Sequence, residues 1–120
     1  MVRFPRRSFV AVTVTLPLAN TNYEVLALVN TVLNPLLAEA PGTCRELTFQ
    51  SHPGVDEVGA NTKDILIGDA ELSATRVGCV LMAAGGSKTW RADINVVMIG
   101  GIYARSAGTN QKLNVEIICG

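Results

Sequence analysis

The sequence predicts a mainly β protein, an antiparallel β-sandwich of jelly-roll-like type with one N-terminal helix of about three turns. Three observations carry that expectation. Apolar residues alternate with period two in several short stretches, the mark of half-buried strands. Val, Ile and Thr make up 31 of the 120 residues, a composition that favours strands over helices. Glycine-containing turns separate the stretches at a spacing of roughly 8–12 residues, as in sandwiches and barrels. The length is that of one domain. A 48% hydrophobic content is enough for a real core, and a mean hydropathy of +0.31 excludes a disordered chain.

The elements follow in order. Residues 1–8 hold Arg3, Pro5, Arg6 and Arg7 and little that packs, so they form a basic arm. The rest, residues 9–120, is a single domain. Residues 9–16 place Val10, Val12, Val14 and Leu16 on one face and Ala11, Thr13 and Thr15 on the other, a strand. That alternation, and Pro17 after it, suits mature protein better than the apolar helix of a secretory signal. Residues 19–22 offer turn and N-cap chemistry, and Glu24 falls in a first helical turn. The helix is expected at about residues 22–34. Val25, Leu28, Val29 and Val32 share one of its faces, and Asn34-Pro35 ends it. Beyond Pro41-Gly42 the chain reads as all β. Strands are expected at 45–50, 64–67, 71–74, 80–82, 89–91, 96–99, 102–104 and 112–119, with a loop over 51–61 and a hairpin turn at 84–87.

Charge and motif content narrow the function. Ten basic and ten acidic side chains leave a net charge of +0, which excludes a nucleic-acid binder driven by bulk charge. Only 17% of residues are charged, below the ~25% usual for soluble domains. Such a surface is expected to be covered in part by other subunits. No apolar run reaches the ~18 residues of a membrane-spanning helix. Cys44, Cys79 and Cys119 are odd in number and far apart, so neither a disulfide framework nor a Cys-x-x-Cys metal motif is expected; they read as buried free thiols. His52, the single histidine, lies on a Gly/Pro loop near Asp56 and Glu57 with no nucleophile at a useful spacing, and is expected at the surface. Asp64 and Asp69 lack calcium-loop spacing and read as turn carboxylates. Residues 84–89 resemble a phosphate loop superficially, but Ser87 rather than Gly precedes Lys88, and a strand rather than a helix follows. Gly85 and Gly86 read as hairpin residues requiring positive φ. No catalytic, cofactor-binding or metal-binding residue is expected, and no enzyme.

Four residues are candidates for partner contact. Arg3, Arg6 and Arg7 form the one clear charge cluster, either a solvated tail or an arm that pairs with carboxylates on a neighbouring subunit. Trp90, the single tryptophan, is either core or an interface anchor.

One resemblance adds to this reading. Residues 61–75 run Asn-Thr-Lys-Asp-Ile-Leu-Ile-Gly-Asp-Ala-Glu-Leu-Ser-Ala-Thr. Residues 78–87 run Gly-Cys-Val-Leu-Met-Ala-Ala-Gly-Gly-Ser, and an Ile-Tyr-Ala-Arg-Ser-Ala-Gly-Thr-Asn-Gln-Lys-Leu-Asn-Val ending covers 102–115. Together with the helix leading into residues 44–50, this pattern resembles small β-sandwich structural proteins of tailed-phage virions, over about residues 22–118. The resemblance implies a capsid decoration (cement) protein located in the virion and assembled in the host cytoplasm. Its partners would be the major capsid protein or other virion subunits, and copies of itself, with a trimer favoured. A head-tail adaptor, collar, tail or baseplate component is the alternative within the class. A carbohydrate- or ligand-binding module is the alternative outside it, poorly supplied at 5% aromatic residues. No cofactor is implied, no membrane contact, and nucleic acid is disfavoured.

Overall fold

A computed structural model of the chain describes residues 9–34, 43–55, 58–92 and 97–119. The basic arm with Arg3, Arg6 and Arg7 lies outside the described residues, as do residues 35–42. The protein is mainly β, with three antiparallel sheets and, among the described residues, one helix. In chain order the elements are β1 (Phe9–Leu16), β2 (Tyr23–Glu24), α1 (Val25–Leu33), β3 (Thr43–Cys44), β4 (Glu46–Ser51) and β5 (Ile65–Gly68). Then come β6 (Cys79–Leu81), β7 (Ser87–Arg91), β8 (Val97–Met98), β9 (Tyr103–Ser106) and β10 (Gln111–Ile118).

Two four-stranded sheets dominate. Sheet A has the order β1-β10-β4-β7 and sheet B the order β2-β9-β5-β6; β3 and β8 form a short ladder of their own. The alternation along each strand decides which side chains turn inward. Val10, Val14 and Leu16 from β1, Leu47 and Phe49 from β4, and Leu113, Val115 and Ile117 from β10 are buried. From sheet B they meet Ile65, Ile67, Leu81 and Ala104 in a single core cluster. Phe49 is fully buried and packs edge-to-face with Trp90, with ring centroids 5.2 Å apart and planes at 72°.

Several expectations are corrected. The helix begins at Val25, because Tyr23 and Glu24 pair with Ala104 and Tyr103 on β9. Asn22 caps nothing on α1; its amide donates to the Leu72 carbonyl at 2.8 Å, and Glu24 is the N-cap without a side-chain bond. The buried stripe is Val25, Val29 and Leu33, while Val32 is exposed. Residues 71–74, expected as a strand, form a turn: Leu72 N–H bonds the Asp69 carbonyl, Glu71 N–H bonds the Asp69 carboxylate, and only Ser73 and Arg76 bridge. At the β6–β7 turn the positive φ angles belong to Ala84 (60°) and Gly85 (112°), not to Gly86. Gly86 is required by proximity instead, since a Cβ there would lie 2.7 Å from the Met82 carbonyl oxygen.

Candidate docking surface

The outward sides of the two sheets differ in chemistry. On sheet A much of the outward side is polar, and many of those side chains bond one another across the strands, with Phe9 as the exposed apolar exception. Thr13 donates to Asn114 at 2.8 Å and Asn114 to Gln50 at 3.2 Å. Lys112 Nζ donates to Thr15 at 3.1 Å, Thr48 and Thr89 bond at 2.9 Å, and Arg91 meets Glu46 at 3.3 Å. These polar groups are already paired, so a partner docking here would gain little from them. On sheet B, Leu66 stands opposite Val80, and Met82 follows two residues on along the same side. Val80 is 48% and Met82 64% exposed. Strand alternation thus turns apolar carbon to solvent where a polar residue is the rule, an exposed apolar patch of the kind found at contact surfaces.

The end of the molecule beyond Ser51 is organised by buried amides. Asn61 donates to Ser51 Oγ at 2.8 Å and to the Lys112 carbonyl at 2.6 Å, and its oxygen accepts the Lys112 N–H at 2.7 Å. Gln111 accepts the N–H groups of Thr62 and Lys63 at 2.9 and 3.0 Å. Ser106 Oγ donates to the Asp64 carbonyl at 2.9 Å, and the Asp64 carboxylate accepts the Ala83 N–H at 2.7 Å. His52 belongs to this end and is buried, contrary to its expected place at the surface; its Nδ1 accepts the Gly54 N–H at 2.9 Å. Val55 and Val58, at the outer end of this region, bridge each other and are exposed.

Trp90 is half-buried: one edge belongs to the core with Phe49, and the rest borders a cleft of about 410 Å³ with Ile67, Cys79, Lys88 and Ile102. The cleft contains no acid–base pair. Burial raises the Cys79 thiol above its ordinary pKa, an effect the nearby Lys88 ammonium opposes. Burial likewise raises Cys119, and raises Cys44 with a further contribution from Cys119. The three thiols are free; Cys44 is buried, but Cys79 and Cys119 are only half-buried, contrary to the expectation, and the upward shifts favour the protonated form, a poor state for nucleophilic attack. Among the described residues no group of three or more His, Cys, Asp or Glu is placed to hold a metal ion. Asp69, paired with Arg76 at 2.8 Å, is held below the usual carboxylate range by that hydrogen bond. No described helix is long and apolar enough to cross a membrane.

Of the four candidates, Trp90 is described, and it divides its surface between core and cleft. The signal for the sheet B patch was present in Leu66, Val80 and Met82, but their sidedness needs the β5–β6 register. Comparison with protein-family models, with curated proteins and with solved structures finds no match.

Proposed function

We propose that the chain is a jelly-roll β-sandwich and a structural subunit of a tailed-phage virion, acting as a capsid decoration protein. The strand order supports the fold half of this reading. Four antiparallel pairs, β1 with β10, β2 with β9, β4 with β7 and β5 with β6, form one long folded ribbon. Rolling that ribbon sends alternate pairs to opposite sheets, joined by β10–β4 and β9–β5. Jelly rolls of this kind build viral shells and lectins. The fold alone does not choose between such roles. The choice rests on the surface: an apolar patch on sheet B, and a resemblance in sequence to virion proteins.

The mechanism is adhesive. Docking the patch around Val80 and Met82 across a junction of shell subunits buries apolar area worth ~25 cal/mol per Å². Binding the assembled shell and not its free subunits stabilises the shell by mass action. Arg3, Arg6 and Arg7 add carboxylate contacts from the arm, and the chain assembles as a homo-oligomer, with a trimer favoured.

Copy number in purified particles tests the reading. A decoration protein is present in hundreds of copies on the shell exterior. A dozen or fewer moves the chain to the adaptor, collar or baseplate, and absence from the particle refutes the virion role. Replacing Val80 and Met82 together by Lys should abolish attachment while leaving the fold intact, and removing residues 1–8 should weaken it. Unchanged decoration by the lysine variant would remove the sheet B patch from the mechanism.

A further inference from the structure

The four outer strands of the two sheets are protected unequally. A sheet edge exposes unpaired N–H and C=O groups, and proteins blunt it with short strands, charges, proline or bulges. β2 has two residues and β6 three. β7 carries Lys88 and Arg91. β1 has none of these devices. It is eight residues long, Phe-Val-Ala-Val-Thr-Val-Thr-Leu, with no charge, glycine or proline. Its register with β10 runs unbroken from Phe9↔Ile118 to Leu16↔Gln111, so no bulge turns it away. Among the described residues its backbone makes no hydrogen bond outside the β10 ladder. α1 shares a core cluster with the inward residues Val10 and Val14 through Val25, Val29 and Leu33.

The structure assigns the free edge of β1 as a docking strand for β1 of a second copy, antiparallel about a two-fold axis at Val12. The strand is its own complement in that register. Val10 meets Val14 and Val12 meets Val12 on the inner face; Phe9 meets Thr15 and Ala11 meets Thr13 on the outer face. An uncharged strand brings no like-charge repulsion to such a pairing, and aromatic with β-branched neighbours stabilise it. The contact also covers Phe9, which is 52% exposed in the single chain. The two copies of sheet A become one continuous sheet ordered β7-β4-β10-β1-β1-β10-β4-β7. The contact is isologous and closes on itself, so it joins copies in pairs. It leaves the sheet B patch free and stands independently of the virion reading; a trimer held through that patch would be joined to another across this edge.

The test uses the full chain. Sedimentation equilibrium of the native protein and of Val12→Lys compares their masses, with circular dichroism confirming the fold of the variant. Val12 is half-buried at the margin of the core cluster, so a lysine there can carry its ammonium out to solvent on its aliphatic stem in the single chain but meets its own copy in the pair. The expected result is that Val12→Lys halves the assembly mass. Hydrogen exchange on the native chain provides a readout that needs no variant. The alternate β1 amides that do not bond β10 should lose protection by about tenfold or more on dilution through the dissociation range. Equal masses for the native chain and a folded Val12→Lys overturn the assignment. So do β1 amides whose protection is the same at every concentration, whether absent throughout or supplied throughout by the chain itself.

Discussion

Replacing Asn61 by Ala tests whether the loop end of the molecule is held by a single side chain. The substitution removes three hydrogen bonds, to Ser51 Oγ, the Lys112 carbonyl and the Lys112 N–H. The losses are not equal. The Lys112 carbonyl keeps a second donor, the His52 N–H at 3.2 Å. The Lys112 N–H loses the partner described for it in a site where Asn61 is only 7% exposed. A net ~0.5–1.5 kcal/mol for each bond, and ~1–3 kcal/mol for an orphaned buried donor, bring the expected cost to about 3 kcal/mol. For a domain of this size that is a fall in Tm of roughly 10–15 °C. Guanidinium unfolding followed by the fluorescence of Trp90 measures the change. Thr13→Ala is the matched control: it removes one exposed bond, to Asn114, and should cost less than ~0.5 kcal/mol. If Asn61→Ala also lies within ~0.5 kcal/mol of the native chain, the buried amide does not organise this end, and the reasoning fails.

Three further outcomes follow from the same geometry. Gly86→Ala should destabilise the β6–β7 turn by ~2 kcal/mol or more, because its Cβ would press on Met82 N and O; Gly59→Ala, where a Cβ has open space and φ is not positive, should be near neutral in the same denaturation assay. The Asp69 carboxyl, followed by NMR, should titrate below the ordinary ~3.9, and Arg76→Gln should return it toward that value. A depressed folded pKa means that the pair's contribution is present above the unfolded pKa and is lost as pH falls through the folded one; being fully exposed, it should also fade in high salt. All three cysteines should resist alkylation at pH 7 in the folded protein and react as pH rises past 9, with buried Cys44 slowest; fast labelling of any of them at neutral pH would contradict the burial that raises their pKa values.

What was legible in the sequence was what local pattern dictates. β1 and β10 each alternate over eight residues, so their inner faces are visible without coordinates. β4 is short but carries Leu47 and Phe49 two apart, and it too is visible. Where tertiary partners compete with local chemistry, the pattern misleads. Asn22 has the residue type and position of an N-cap, yet the Leu72 carbonyl 50 residues away takes its amide. Leu72 is buried like a strand residue, yet Asp69 folds its segment into a turn. His52 stands among Pro53, Gly54 and acidic residues, a composition that reads as surface, but its ring is used internally by the Gly54 N–H. The Asn61 and Gln111 sites were not legible as structural centres, because their partners lie some 50 residues away.

The division of the surface follows from the same physics. The two four-stranded sheets each have an outward side, and strand alternation would let both be polar. Sheet A follows that rule over most of its outward side, with many of its polar side chains bonded to one another across the strands and Phe9 at one corner exposed. Sheet B departs from it at Leu66, Val80 and Met82, and β1 departs from the rule that a long edge strand carries a charge or a bulge, with its backbone bonded only to β10 among the described residues. Neither departure helps an isolated chain: exposed valine and methionine contribute little to its own stability, and an undefended edge invites association. Both are useful in a chain that spends its working life against neighbours. The two features also call for different neighbours. An apolar face accepts any surface of matching shape, whereas the β1 edge is matched in sequence to itself. A subunit with one self-complementary edge and one general adhesive face can pair with its copy and still hold a larger surface. This arrangement lets binding on both copies of the pair act together, so that two weak face contacts become one strong attachment.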